Sequence, residues 1–292
     1  MNQKTIFALG FFDGVHLGHQ ALLAACRELA EKNGCRAGAV TFADHPDALV
    51  LGKAPVLLNT SEARKRLLQH YGAEEVLELP FDGEMRNMPW RDFVRMLEKK
   101  GAAGFVCGAD FRFGHRGEGT AAVLESYCRA AGLACAVVPE QVLDGVTLSS
   151  THIRMLLEAG DVAGANRFLG HPHILSGTVV KGKQLGRTLG FPTANLALPD
   201  GLLTPRCGVY ATKVTVDGKE YLAVTNIGTR PTVNGQGVNA ECHLLDFAGD
   251  LYGKEITVAF YGFIRPEQKF ESLEELKAQI AADIARVRTI FQ

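Results

Sequence analysis

His16 and His19 lie three residues apart at the end of a glycine-rich stretch, Gly10-Phe11-Phe12-Asp13-Gly14-Val15-His16-Leu17-Gly18-His19. A short apolar run precedes it, and Leu22, Leu23, Cys26, Leu29 and Ala30 follow at helical spacing. Gly14 and Gly18 let backbone approach a phosphate, and a helix N-terminus adds a favourable field of about 0.3–1 kcal/mol. Imidazoles three apart at a helix start can face one point. Two donors aimed there would stabilise the charge that grows on phosphate oxygens during displacement. As a bare H-x-x-H the pair also suits a capping histidine beside a solvated one. Metal binding is the other reading, although H-E-x-x-H is absent and no third ligand is evident. The strand–glycine–helix context favours phosphate.

Other segments have similar chemistry. Gly108-Ala109-Asp110-Phe111-Arg112-Phe113-Gly114-His115-Arg116-Gly117 mixes aromatics, which stack on flat rings, with arginines, which neutralise phosphate. An ordinary connection with core phenylalanines has the same composition. Ser149-Ser150-Thr151-His152-Ile153-Arg154 reads as a hydroxyl-rich helix start with a cation one turn in, suited to a triphosphate or to simple N-capping. Gly182-Lys183-Gln184-Leu185-Gly186-Arg187 offers glycine backbone and two cations to phosphates without the Walker spacing. In Phe191-Pro192-Thr193-Ala194-Asn195, Thr193 and Asn195 could present two neutral oxygens to Mg²⁺; taken alone, Pro192 to Asn195 is a turn. Glu241 begins the strand-like run to Phe247. There a carboxylate facing a pocket can accept the proton of an attacking hydroxyl, or it can stand as an exposed edge glutamate. Arg265, after the last strand-like run, either clamps a ligand or caps the fold.

These residues need a scaffold, and the apolar pattern supplies one. In the first half, strands at Ile6–Gly10, Arg36–Phe42, Glu75–Phe81, Phe105–Gly108 and Leu133–Val138 alternate with helices over His19–Lys32, from Asn59 to about Tyr71, from Pro89 to before Gly101, and over Thr120–Ala131. That alternation predicts β-α-β units around a parallel sheet. After about Gly170 the pattern changes to strands at Ile174–Lys181, Gly208–Val216, Lys219–Ile227, Ala240–Phe247 and Lys254–Ile264. Asp217-Gly218 predicts a tight hairpin. A terminal helix starts with a capping box, Ser272 with Glu275, and repeats Leu273, Leu276, Ile280, Ile284, Val287 and Phe291. The expected fold is therefore α/β: an N-terminal Rossmann-like parallel-sheet domain over 1–170, then a small antiparallel β-barrel with a terminal helix over 172–292. The joint is expected at His171-Pro172-His173.

The chain's length, 292 residues at about 150 per domain, agrees with two domains. Lys+Arg of 31 against Asp+Glu of 32 argues against bulk nucleic acid or an anionic membrane as partner. No apolar run approaches the roughly 18 residues of a membrane helix. The opening run reads as a strand, not a signal peptide. Seven cysteines, none spaced C-x-x-C, suggest buried thiols in a reducing compartment, hence a cytoplasmic protein without a zinc site.

Together, His16-Leu17-Gly18-His19 and Ser150-Thr151-His152-Ile153-Arg154 resemble the H-x-G-H and S-T-x-x-R marks of the nucleotidyltransferases. More narrowly, Phe12 to Gln20, Thr41-Phe42 with His45-Pro46, and Gly108 to Gly114 resemble the adenylyltransferase domain of the prokaryotic bifunctional riboflavin kinase/FAD synthetases. Phe11 stands where many members carry Asn. Gly177 to Gly182, Gly190 to Asn195, Gly208 to Ala211, Asn226 to Thr232, Glu241 to Phe247, and Arg265 with Lys269-Phe270 resemble the riboflavin kinase domain. The resemblance implies that riboflavin is phosphorylated to FMN and FMN adenylylated to FAD, with ATP and Mg²⁺. It assigns His16 and His19 to the ATP phosphates, with Gly14, Gly18, Ser150, Thr151 and Arg154. Asp110, Phe111 and Arg116 would shape one flavin site and Arg265 the other. Gly182, Lys183 and Arg187 would hold nucleotide, Thr193 and Asn195 the metal, and Glu241 would act as base. Retention of one activity alone and flavin binding without turnover are the competing functions.

Overall fold

The computed structural model describes residues 4–182, 186, 189–232 and 235–292, with backbone only at 230–232 and 235–237. Contacts divide the chain into two compact units: Met1–Leu57 with Ser61–Ser150, and Leu58–Thr60 with Thr151–Gln292.

The first unit runs β1 (Thr5–Leu9), α1 (Leu17–Lys32), β2 (Arg36–Phe42), α2 (Pro46–Val50), α3 (Ser61–His70), β3 (Glu75–Leu79), α4 (Gly83–Asn87), α5 (Trp90–Lys99) and β4 (Ala102–Gly108). A small hairpin follows, β5 (Arg112–Phe113) with β6 (Gly119–Thr120), then α6 (Ala121–Ala131), β7 (Ala134–Val138) and a second hairpin, β8 (Val142–Leu143) with β9 (Val146–Thr147); of α7 (Ser150–Ala159) only Ser150 belongs to this unit and the rest to the second. Five strands form a parallel sheet in the order β3-β2-β1-β4-β7. The central strand β1 is apolar on both faces because both are covered. Phe7 and Leu9 point into a core with Phe93, Val94 and Leu97 of α5 and Leu124 and Cys128 of α6. Ile6 and Ala8, one residue out of phase, pack with Leu23, Cys26 and Ala30 of α1. The parallel sheet and the long helices match the expectation; the five-residue helices α2 and α4 and both hairpins are too short for periodicity to reveal.

The second unit adds α8 (Val162–Leu169), β10 (His173–Val180), β11 (Ala194–Ala197), β12 (Gly208–Val216), β13 (Lys219–Thr232), β14 (Gly235–Leu244), β15 (Glu255–Arg265) and a terminal helix α9 (Leu273–Ile290). The six strands close an antiparallel barrel, β10-β11-β14-β13-β12-β15, with β15 pairing back to β10. Asp217-Gly218 makes the expected two-residue turn: Val216 pairs with Lys219, and both turn residues have positive φ (48° and 79°). Ser272 caps α9, accepting the Glu275 amide at 3.2 Å. Val287 of α9 packs with Val209, Ala211, Leu245 and Ile264 of the barrel. Leu273, expected in that apolar stripe, is exposed because it is the first residue of the helix. Two strands differ from the sequence reading. Pro192 to Asn195 is not simply a turn, since Ala194 and Asn195 belong to β11, and Glu241 lies within β14 instead of opening a strand. Cross-strand pairing overrides local turn propensity at β11, and pairing with β13 extends β14 back past Glu241.

His173 on β10 is buried beside Phe260, and burial, reinforced by His171, pushes its pKa down to about 3. The unfolded chain binds this proton near pH 6.5 and the folded one only near 3, so stability is full above 6.5 and declines as pH falls between them. The expected slope from this group is at most about 1.4 kcal/mol per pH unit. Calorimetric unfolding between pH 7 and 4 should show it, and His173→Gln should flatten that limb; an unchanged limb would assign the acid sensitivity to other groups.

Candidate active sites

In the N-terminal sheet the chain winds outward from β1 through β2 to β3 on one side and from β4 to β7 on the other, which leaves a crevice beyond the carboxyl ends of β1 and β4. A cavity of about 560 Å³ lies there. Gly10 and Phe11 line it after β1, Asp110, Phe111 and Arg112 after β4, and Glu140 and Gln141 after β7, together with His16, Gly18, His19 and Ser150.

The turn that delivers the histidines has unusual backbone. Phe12 (φ 63°), Gly14 (φ 80°) and Val15 (φ 42°) are all left-handed. For Phe12 and the β-branched Val15 this costs on the order of 1–3 kcal/mol each. Hydrogen bonds hold the turn in place. Thr41 Oγ1 donates to the Phe11 carbonyl (2.8 Å), Ser150 Oγ to the Asp13 carbonyl (2.9 Å) and Gln20 Nε2 to the Val15 carbonyl (2.9 Å). The imidazoles of His16 and His19 then stack, with centroids 3.7 Å apart and planes 19° from parallel. Gly18 leaves room for that stack, because a Cβ there would stand 3.1 Å from His16 Cε1 and press on the ring. Burial and the neighbouring His16 hold His19 well below the usual histidine pKa, so at neutral pH it is an uncharged donor.

The other predicted residues distribute unevenly. Gly14 is buried within the turn and shapes it without lining the cavity. Asp110 is exposed at the cavity wall, and Phe111 stacks on Phe113 at 5.5 Å. Arg116 stands outside the lining: the hairpin β5–β6 carries it, exposed, in the connecting turn, and the arginine in the wall is Arg112. Thr151 and Arg154 follow Ser150 on α7, in the stretch that clusters with the second unit. Glu140 and Gln141 were not singled out by the sequence; their signal was position alone, directly after a parallel strand.

The barrel presents a second arrangement. Asn195 of β11 pairs with Glu241 of β14, and Glu241 with Asn226 of β13, so three polar side chains form one row across three strands. The alternation around Glu241 is strict: Ala240, Cys242 and Leu244 are buried inside, while Glu241 and His243 face out. Asn239, two residues earlier on the same face, donates to Glu241 Oε1 (2.8 Å) and to Asn195 Oδ1 (3.2 Å). Gly182 closes on this row, since a Cβ there would overlap the Asn195 amide at 2.5 Å. Lys183 and Arg187 fall outside the described residues.

Two cavities lie beside this segment, and only the smaller reaches the row. One, of about 610 Å³, is lined by Val179, Thr193, Phe247, Asp250 and Tyr252 among others. The second, of about 280 Å³, is lined by Thr193, Asn226, Glu241 and Arg265 with apolar Phe191, Phe270 and Ile280. Thr193 borders both. Arg265 is committed to Asp283 of α9, donating from NH2 at 2.8 Å and from Nε at 3.0 Å. Phe247 ends a run the sequence singled out, whereas Ala248 to Tyr252 and the bridging Asn239 carry no motif that sequence reasoning could have found.

A family profile described as FAD synthetase matches residues 1–152, and one described as riboflavin kinase matches 169–291. The bifunctional riboflavin kinase/FMN adenylyltransferase of Escherichia coli K12 is 40% identical over 99% of this chain and 93% of its own length. That of Listeria monocytogenes is 34% identical, also over 99% and 93%. A crystal structure described as a macrolide-efflux protein from Streptococcus pneumoniae superposes with a TM-score of 0.89 at 31% identity, covering 99% of this chain and 95% of that one. No helix among the described residues is long and apolar enough to cross a membrane. With two family profiles aligned to the two halves and relatives matching along its whole length, the chain belongs to the bifunctional riboflavin kinase/FMN adenylyltransferase family.

Proposed function

We propose that the chain phosphorylates riboflavin to FMN in its barrel and adenylylates FMN to FAD in its N-terminal domain, each time with ATP. Residues 172–292 carry the first reaction and 1–170 the second. The observation that supports this most is that each separately matched segment has its own polar-lined cavity, with His16, His19 and Ser150 in one and Thr193, Asn226 and Glu241 in the other. The seven unpaired cysteines support a cytoplasmic setting, and the substrates are small molecules, not nucleic acid or membrane.

In the barrel, the larger cavity takes the nucleotide and the smaller, apolar one the isoalloxazine ring, with Thr193 at the passage between them. Arg265, immobilised by Asp283, forms part of the flavin wall. The ribityl 5′-hydroxyl attacks the γ-phosphorus, the bond to the bridging oxygen breaks, ADP leaves, and Glu241 takes the hydroxyl proton. Thr193 and Asn195 are oxygen donors of the kind a hard divalent cation takes, and Gly182 leaves room beside the Asn195 amide. Bound there, Mg²⁺ supplies charge neutralisation on the transferring phosphate. Lys183 and Arg187 are assigned to nucleotide phosphates on the same reading.

In the N-terminal domain a phosphate oxygen of FMN attacks the α-phosphorus of ATP and pyrophosphate leaves, so no base is needed. His16 and His19 donate to the oxygens where charge accumulates, and the neutrality of His19 suits donation without proton transfer. Gly14, Gly18 and Ser150 shape the phosphate end, with Thr151 and Arg154 as further nucleotide contacts. Asp110 and Phe111 hold the flavin, and Arg112 takes the place first given to Arg116.

Chromatography of riboflavin, ATP and Mg²⁺ with the protein should reveal FMN and then FAD; a folded protein that forms neither ends this reading. His16→Ala with His19→Ala should reduce FAD formation at least about 10²-fold and leave FMN formation intact. Glu241→Gln should lower FMN formation by about 10²–10⁴-fold and spare the conversion of supplied FMN to FAD. Gly18→Ala, which crowds His16, and Gly182→Ala, which crowds Asn195, should each reproduce the corresponding pattern at about tenfold. Loss of both activities in any one variant would contradict independent sites.

A further inference from the structure

Arg64 of α3 is fully buried, an unusual position for a guanidinium. It lies where the segments after three adjacent strands converge. Its Cζ sits 4.3 Å from the centroid of the Phe11 ring, which lines the N-terminal cavity after β1. NH2 donates to the Phe42 carbonyl, the last residue of β2, at 2.5 Å and stands 3.8 Å from Glu78 Oε1 on β3. Nε and NH1 are buried with no hydrogen-bond partner among the described residues. Burial disfavours the charge and lowers its pKa, and Asp13, Glu78 and Asp44 counter this only in part, from the β1 segment, β3 and the β2 segment.

A buried arginine with so few hydrogen bonds is a poor stabiliser, and an apolar side chain of similar volume would serve packing better. What the charge offers is a shared centre. Phe11 and Asp13 bracket the start of the left-handed turn that delivers His16, and both are drawn to the same guanidinium. A turn strained at Phe12 and Val15 keeps its shape only while its surroundings over-determine it. We propose that Arg64 is a positioning residue for adenylyl transfer, a cation that ties the segments after β1, β2 and β3 together and so fixes the turn carrying the stacked histidines. The proposal rests on the reading of this unit as the FMN adenylyltransferase.

The test uses Arg64→Met and Arg64→Lys in the full chain. FAD formation from FMN and FMN formation from riboflavin are measured for each. Met should lower kcat for FAD formation at least about tenfold while KM for ATP and FMN stays within about threefold, as expected when reacting groups are misplaced but binding persists. Riboflavin phosphorylation should stay within about twofold, and Lys, which keeps the charge, should recover at least about a third of kcat. An unmodified chain that makes no FAD overturns the adenylyltransferase reading itself. An active chain whose Met variant keeps its kcat, or whose folded Lys variant recovers nothing, overturns only the role of Arg64. Should Met abolish the fold of the N-terminal unit by circular dichroism, Glu78→Gln decides: about a two- to fivefold fall in kcat for FAD formation supports the proposal, and no change overturns it.

Discussion

The pairing of β11, β14 and β13 sets Asn195 opposite Glu241 and Glu241 opposite Asn226, and the pleat sends all three to the same face. A slip of one residue would turn Glu241 into the barrel and present Cys242 in its place. The apolar interior prevents this, because Ala240, Cys242 and Leu244 must all stay buried together. Burial inside the barrel thus fixes polar geometry outside it. The thiol of Cys242, pushed up to about 12 mainly by burial, is chemically inert packing, which fits the same division.

The N-terminal sheet solves the same problem differently. Parallel strands covered on both faces have no outer face to spare, so chemistry moves to their carboxyl ends. There two imidazoles stack at a helix start, brought together by left-handed backbone and by a glycine where a Cβ would press on His16. The side-chain hydrogen bonds from Thr41, Gln20 and Ser150 all end on main-chain carbonyls of this turn. They hold a conformation that local preference alone would abandon.

Desolvation shapes the charge state of both units. It keeps His19 neutral beside its stacked partner, and it keeps His173 neutral beside Phe260, outside the cavity linings described above. A lowered pKa is therefore no mark of function by itself; the lining of a cavity separates the two histidines. Arg265 teaches a related lesson. A cation at a cavity wall is not automatically available to a ligand, and here a buried carboxylate on α9 takes its fork.

Much of this protein is legible in its amino-acid order. Ile6 to Leu9, Arg36 to Phe42 and Gly208 to Val216 are apolar or alternating over whole strands, Asp217-Gly218 requires a positive-φ turn, and Ser272 requires a helix behind it. These signals are local, so they survive without a fold around them. The segments proposed to handle phosphate were equally visible, because glycines, histidines and hydroxyls cluster within a few residues of one another. Tertiary structure alone decided the rest: that Asn195 lies on a strand, that Asn239 bridges it to Glu241, that Arg112 and not Arg116 lines the cavity, and that Arg64 is buried beneath Phe11. Each depends on partners far away in the chain, and register, burial and charge between distant residues have no expression in the short-range pattern of a sequence.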